Sequence, residues 1–250
     1  MSVQSKASMD SHTSATDDQR IIAAAADRNK DAICSVLSRL LPPPLNTQDN
    51  NQQPGLILEI ASGTGQHIAH FASSLSPTTT ATSPQHHQYT FQPSDMTDDL
   101  FPSIAAWSSI HLPNININPP IIIDASSPPN AWGIPPSSCT AVICTNMCHI
   151  APFEATQGLM RGAGEVLADP GGRLFIYGPF LVDGRPTTES NDAFDKSLRS
   201  RDGRWGLRDV KVMVEEGRKR GLELVVEEEE GGGVIEMPAN NFMLVFEKKR

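Results

Sequence analysis

No stretch of this 250-residue sequence is apolar for the roughly 18 residues that a membrane-spanning helix needs, so an integral membrane reading fails. The first twenty residues are rich in Ser, Thr and Asp and contain no apolar core of the kind a secretory signal requires. Only four cysteines are present, too few for a disulfide scaffold. A reduced, cytoplasmic protein is expected. Positive charge is also scarce: 20 Lys and Arg stand against 29 Asp and Glu, a formal net charge of -9. A duplex-binding protein needs a basic face to displace counterions, and this balance argues against nucleic acid as a partner. With 38% hydrophobic and 20% charged residues the chain is globular rather than disordered.

Strands and helices alternate along most of the chain. Helical spacing of Ile33, Val36, Leu37, Leu40 and Leu41 predicts a helix over 31–41, stopped by Pro42-Pro43-Pro44. Residues 46–53 form a polar linker. Leu56 to Ile60 is a short apolar run that predicts a buried strand, followed by the turn Ala61-Ser62-Gly63-Thr64-Gly65 and a helix over 66–75. Further strands are expected at 89–91, 121–123, 141–145 and 173–177, and helices at 98–109, 156–167 and 209–220. The last two strands, 222–227 and 242–247, have no helix between them and should pair as a hairpin at one end of the sheet. This alternation predicts an α/β fold with a mostly parallel sheet and helices on both faces. Residues 1–20 read as a disordered tail, 21–250 as a single domain, and the Ser/Thr/Pro/His run at 76–88 as a mobile insert.

In such a sheet ligands bind at the carboxyl ends of the strands, where the strand order switches direction. The glycine turn at 61–65 is therefore the natural site. A dinucleotide fingerprint would want glycine at 68, where Ile68 stands, and a P-loop would want Gly-Lys-Ser/Thr where Gln66-His67 stands. An NAD(P)-dependent dehydrogenase thus remains a weaker alternative. Asp95, at the end of the second strand, follows Gly65 by 30 residues, against a usual ~20 for the ribose-binding acid. The 13-residue run 76–88 accounts for the excess.

Glu59-Ile60-Ala61-Ser62-Gly63-Thr64-Gly65 resembles the first motif of class I S-adenosyl-L-methionine (AdoMet) methyltransferases, with Ala61 in place of its first glycine. The resemblance widens over RNK at 28–30, LEIASGTGQH at 58–67, QPSD at 92–95, NMCHIAPFEATQGLMRGAG at 146–164, YGPF at 177–180, DGRPTTESNDAFDKSLRSRDGRWGLRD at 183–209 and MPANNF at 237–242. In that order they are similar to a methyltransferase-like family labelled a domain of unknown function. The resemblance implies a Rossmann-like, seven-stranded methyltransferase fold with a C-terminal antiparallel hairpin, and AdoMet as cofactor. It implies cofactor contacts from Arg28, Asn29, Lys30, Glu59, Ala61, Ser62, Gly63, Gly65, His67, Asp95, Asp124 and Asn146.

The acceptor side is expected over the fourth and fifth strands. Met147, His149 and Tyr177 lie there, with Asn191, Phe194, Asp195 and Trp205 from a lid at 183–209. His149 and Tyr177 are the candidate catalytic pair, since an imidazole titrates near neutrality. For the lid, an ion-pair network with solvated Arg199, Arg201 and Asp202 is the competing reading. Cys139, Cys144, Cys148 and His149 lack zinc-ligand spacing, so no metal is expected. The function that follows is AdoMet-dependent O- or N-methylation of a small-molecule substrate. The alternative is a fold of this type that binds AdoMet as a non-methylating catalyst or interaction module. The sequence leaves oligomeric state open.

Overall fold

The computed structural model describes residues 18–44, 54–75, 89–110, 116–225 and 233–249. The expected linker at 46–53, the insert at 76–88, the acidic run at 227–230 and all but the last residues of the expected tail lie outside the described residues.

Helix α1 spans Ala24–Leu40, starting at the alanine run rather than at Asp31. Alanine is the best helix former, and the extension keeps Ala26, Ile33, Leu37 and Leu40 on one buried face. Strand β1 (Gly55–Ile60) leads into α2 (Gln66–Leu75), then β2 (Tyr89–Asp95), α3 (Phe101–Ser109) and the short β3 (Ile121–Ile122). Strand β4 (Cys139–Thr145), α4 (Phe153–Val166) and β5 (Arg173–Gly178) follow. The chain then makes β6 (Phe180–Val182), β7 (Arg185–Pro186), α5 (Glu189–Arg201) and β8 (Arg208–Asp209), and closes with α6 (Val210–Arg218), β9 (Leu222–Leu224), β10 (Val234–Met237) and β11 (Asn241–Lys248).

The main sheet runs β10-β11-β5-β4-β1-β2-β3, with β9 also paired to β11. Strands β1 to β5 are parallel, and β11 runs antiparallel to β5. The expected terminal hairpin is more elaborate. Strand β11 inserts between β5 and the edge, and it pairs at one end with β10 across the 238–240 turn and at the other with β9. β9 and β10 share one edge of β11, which leaves the seven strand positions of the expected fold.

Side chains alternate between the two faces, as the period of a strand requires. Ile57, Ile143, Phe175 and Val245 pack with α1 and α2, whereas Leu58, Val142, Leu174 and Ile176 pack with Leu159, Ala163 and Met213 of α4 and α6. The small residues of α4 let it approach closely. A β-carbon on Gly158 would lie 1.9 Å from the Ala125 carbonyl oxygen, and one on Gly162 would lie 1.9 Å from the Trp132 ring. Strands β7, β6 and β8 form a separate three-stranded sheet, with α5 inside the 180–209 segment.

Gly158→Ala should therefore destabilise the protein by about 1–3 kcal/mol, because overpacking against rigid backbone outweighs the ~1 kcal/mol that alanine gains in a helix. Gly203 is the control: a β-carbon there would meet nothing within 4 Å, and its backbone is not left-handed. Gly203→Ala should be neutral or slightly stabilising. Urea denaturation midpoints of the two variants check both expectations.

Candidate functional site

Strand order reverses between β1 and β4: β2 and β3 lie on one side of β1, and β4 and β5 on the other. The turn after β1 therefore opens at the switch point. It has the backbone its glycines imply. Gly63 and Gly65 have φ of 54° and 88°, and Ala61 holds the same left-handed region at 58°. An L-residue there costs roughly 1–2 kcal/mol, so Ala61 keeps the motif's conformation under strain. A β-carbon on Gly65 would lie 2.7 Å from Ile104 Cα, whereas nothing stands within 4 Å of one on Gly63.

The ends of β1 and β2 are tied together by polar bonds. The Ser62 amide donates to the Ser94 carbonyl at 2.8 Å, and the Ser94 amide donates to Ser62 Oγ at 3.1 Å. Ser94 Oγ donates to the Glu59 carbonyl at 2.7 Å. The Gly63 amide donates to Asp95 Oδ2 at 2.8 Å. Glu59 is 1% exposed, and neither carboxyl oxygen has a hydrogen-bond partner. Burial pushes its pKa up to about 8, the nearby Ser62 hydroxyl offsets part of this, and Asp95 adds to it. The Thr145 hydroxyl, at the end of β4, is likewise buried and unpartnered.

The remaining expected cofactor residues divide. His67 is buried, its Nε2 donates to Asn29 Oδ1 at 2.6 Å, and its ring stacks on Phe71. Burial lowers its pKa to about 4, so it is neutral. Burial pushes the Tyr177 hydroxyl pKa up, and the nearby Asn29 and Asn241 side chains offset part of this. Arg28 is exposed near that hydroxyl, while Lys30 pairs with Asp27. Asp124 is exposed and closes a turn on Ser126, accepting from its amide at 2.8 Å and its hydroxyl at 2.7 Å. Asn146 holds φ of 60°, and its amide donates to the Tyr177 carbonyl.

Residues 20–23 lie over the glycine turn, an arrangement for which the sequence carries no local signal. The Ala23 amide donates to Gln66 Oε1, and the Ile21 amide donates to Ser103 Oγ at 2.9 Å. Ser103 Oγ in turn donates to the Thr64 carbonyl at 2.8 Å.

On the expected acceptor side, Met147 and His149 are buried in the loop after β4. The His149 ring meets Phe194 edge-on at 5.6 Å, and its Nδ1 faces Gly178. Tyr177 points to the face of the sheet under α1 instead, in the cluster with Ile33 and Phe71. The structure thus does not bring Tyr177 and His149 into one hydrogen-bonded pair. Burial and the Arg208 and Arg201 charges lower the His149 pKa to about 4. Asn191 and Asp195 work within the protein: Asn191 Nδ2 donates to the Asn240 carbonyl at 3.0 Å, and Asp195 accepts from the Leu207 amide at 2.6 Å and from Arg199. Trp205 lies under the Arg201 guanidinium at 5.4 Å. Arg208, which sequence patterning does not single out, donates to the carbonyls of Cys148 at 3.0 Å and Ala151 at 2.6 Å.

All four cysteines are free and buried, and no group of metal-binding side chains occurs among the described residues. No helix among them is long and apolar enough to cross a membrane. A groove of about 480 Å³ beside Pro42, Pro43, Thr140 and Arg173 opens at the opposite end of the sheet, away from the glycine turn.

The family model described as "Protein of unknown function (DUF938)" matches residues 20–248. The chain belongs to this family. Solved structures show which fold the family has. An O-methyltransferase family protein from Burkholderia thailandensis aligns over 90% of this chain and 57% of its own, with 17% identity and a TM-score of 0.63. A family 2 O-methyltransferase from Planctomyces limnophilus DSM 3776, solved with apigenin, aligns over 90% and 60% with 14% identity and a TM-score of 0.63. Magnesium protoporphyrin IX methyltransferase from Synechocystis PCC 6803, solved with S-adenosylhomocysteine, aligns over 91% and 89% with 13% identity and a TM-score of 0.58. The chain spans less than two thirds of the length of the first two. At these identities the likeness is one of fold: the family has the architecture of AdoMet-dependent methyltransferases.

Glu59 gives the apo protein a pH signature. Its pKa is raised from 4.5 to about 8 on folding, so between these values the folded state holds a proton that the unfolded state has lost. The Glu59 contribution therefore lowers stability as pH rises from about 4.5 to about 8, and the loss is complete above that. Glu59→Gln should flatten this decline. Urea titrations of the ligand-free protein at pH 5 and pH 9 would show it.

Proposed function

We propose that the protein is an AdoMet-dependent methyltransferase acting on a small molecule, at oxygen or nitrogen. The observation that carries this reading is the pairing of the Gly63 amide with the Asp95 carboxylate over a buried, unpartnered Glu59 at the switch point. The residues fit such a cofactor. The space over Gly63 is open, and Asp95 stands at the strand end from which a carboxylate can accept two ribose hydroxyls. Glu59 and Thr145 are buried polar groups lacking partners, an arrangement that costs free energy unless a ligand or water completes it.

Asp95, Gly63 and Gly65 would hold the ribose and amino-acid portions, and Asp124 would serve the adenine end with the carboxyl oxygen that Ser126 does not use. Arg28, rather than the paired Lys30, would meet the amino-acid carboxylate. AdoMet, when bound, supplies a methyl group already activated on a positively charged sulfur. The protein's part is then mostly positioning. His149 is neutral at pH 7 and a weak base, so its role is to hydrogen-bond the acceptor rather than to drive its deprotonation. The segment 183–209 acts as a lid, pinned by Arg208 to the loop that carries His149.

The weak basicity of His149 is the observation that favours the second reading, a protein that binds AdoMet without transferring methyl. Labelled AdoMet incubated with cell extract separates the two, since only the first gives a labelled product.

Asp95→Ala should weaken AdoMet binding by about 1–3 kcal/mol, or roughly 5- to 150-fold, through loss of charge-assisted hydrogen bonds. Calorimetric titration measures this. No binding to the wild-type protein at millimolar AdoMet would overturn the cofactor assignment, and unchanged affinity in the variant would move the ribose site elsewhere.

A further inference from the structure

Residues 20–23, just before α1, are fixed by polar bonds rather than by apolar burial. Ile21 and Ile22 are 48% and 72% exposed. Both main-chain groups of Ile21 are taken by side chains of α3: its amide donates to Ser103 Oγ at 2.9 Å, and its carbonyl accepts from Trp107 Nε1 at 3.0 Å. The Arg20 guanidinium lies over the Trp107 ring at 5.3 Å. Two residues on, the Ala23 amide donates to Gln66 Oε1 at the start of α2. A segment held by a few such bonds, with its own side chains in water, opens at low cost.

The same two anchors also grip the glycine turn beneath. Ser103 is 1% exposed, and its hydroxyl accepts from Ile21 while donating to the Thr64 carbonyl at 2.8 Å. Gln66 Oε1 accepts from Ala23 and also from the Thr64 hydroxyl at 3.2 Å. Thr64 stands between Gly63 and Gly65, whose backbones would otherwise let the turn flex. It is held at its carbonyl and its hydroxyl by the side chains that hold the segment above. Helix α3 closes in beside it, since a β-carbon on Gly65 would lie 2.7 Å from the Cα of Ile104, the neighbour of Ser103. The position of residues 20–23 and the shape of the turn, including the Gly63 amide that meets Asp95, are therefore linked through one buried hydroxyl and one amide oxygen.

We infer that residues 20–23 are a latch over the glycine turn, and that Ser103 is the positioning residue that couples closure of this latch to the turn and so sets how long AdoMet stays bound. The inference rests on the AdoMet reading of the turn. A ligand seated on Gly63 and Asp95 holds the turn in the shape that presents the Thr64 carbonyl to Ser103, so binding favours closure. By linkage, closure then slows release of the ligand. Lids of this kind govern release while leaving the chemistry to other groups.

The experiment measures S-adenosylhomocysteine dissociation from the immobilised full chain by surface plasmon resonance. Ser103→Ala should speed release by about fivefold, the worth of one lost hydrogen bond. Gln66→Met should do likewise, and Gln66→Glu, which keeps an oxygen acceptor for the Ala23 amide, should restore slow release. Trp107→Phe keeps the ring and removes only the donor to Ile21, so it should also speed release, and it serves where Ser103→Ala does not fold. Hydrogen exchange supplies the second readout: the Ile21 amide should gain protection when S-adenosylhomocysteine binds the wild-type protein and lose it in Ser103→Ala. Variants that lower the urea midpoint but leave the release rate unchanged would show a merely structural role and overturn the inference. Ile21 exchange that ignores the ligand would overturn it too. No binding of S-adenosylhomocysteine to the wild-type protein at millimolar concentration overturns the cofactor reading, and the latch falls with it.

Discussion

The site depends on how β1 is tied to β2 at their carboxyl ends. Two parallel strands that stop side by side leave backbone donors and acceptors just where the chain must turn away. Ser62 and Ser94 solve this reciprocally, amide to carbonyl and amide to hydroxyl, and Ser94 also caps the Glu59 carbonyl. With those groups satisfied, the Gly63 amide is free to orient the Asp95 carboxylate. The same lock seals Glu59 beneath the turn, where its carboxyl has no partner. A buried acid without partners is not what stability alone would select, since an apolar residue of similar size would cost less. Its presence is a free-energy cost that the proposed cofactor site would account for.

The proposed acceptor half is organised by a different constraint. The 180–209 segment is a polar excursion with its own small sheet, and it contributes few large apolar groups to the main core. What holds it is a set of side-chain bonds to backbone: Arg208 to the loop after β4, Asn191 to the 238–240 turn, and Asp195 to Leu207. Such bonds fix geometry at a modest net contribution each, about 0.5–1.5 kcal/mol, or about 1.5–3 where a charge takes part. An element held mainly in this way can open locally without unfolding the sheet. The acids of α5 pair within the helix, Asp192 with Lys196 and Asp195 with Arg199, and the same helix brings Phe194 against the His149 ring.

The contrast explains what is legible in the sequence. The sheet core is readable because buried parallel strands are short continuous apolar runs, and Leu56–Ile60, Ala141–Thr145 and Arg173–Tyr177 are such runs. The turn is readable because strand, glycines and following helix are contiguous. The start of α1 is hidden because alanines carry no amphipathic signal, and β10 because a four-residue edge strand beside a glycine-rich run has little pattern of its own. Asn29, His67 and Tyr177 each stand out as single residues, yet their mutual approach is invisible in sequence, since it joins α1, α2 and β5 across the fold. Arg208 is hidden for a similar reason. A surface-type residue gives no hint that its partners will be main-chain carbonyls some sixty positions away.

The two halves therefore differ in how specificity can change. The proposed cofactor half is built from one local unit and the neighbouring strand end, so its chemistry is coupled to the sheet itself. The proposed acceptor half is assembled from the loop after β4, Gly178, α5 and the 205–208 stretch, which meet largely through side chains. Substituting Phe194 or Arg201 would alter shape and charge at His149 while leaving the sheet's hydrogen bonds in place. A fold shared with O-methyltransferases at under a fifth identity is what such a division produces. The order of the sheet is bound up with the core because every strand depends on its neighbours, whereas little of the core depends on the surface around His149.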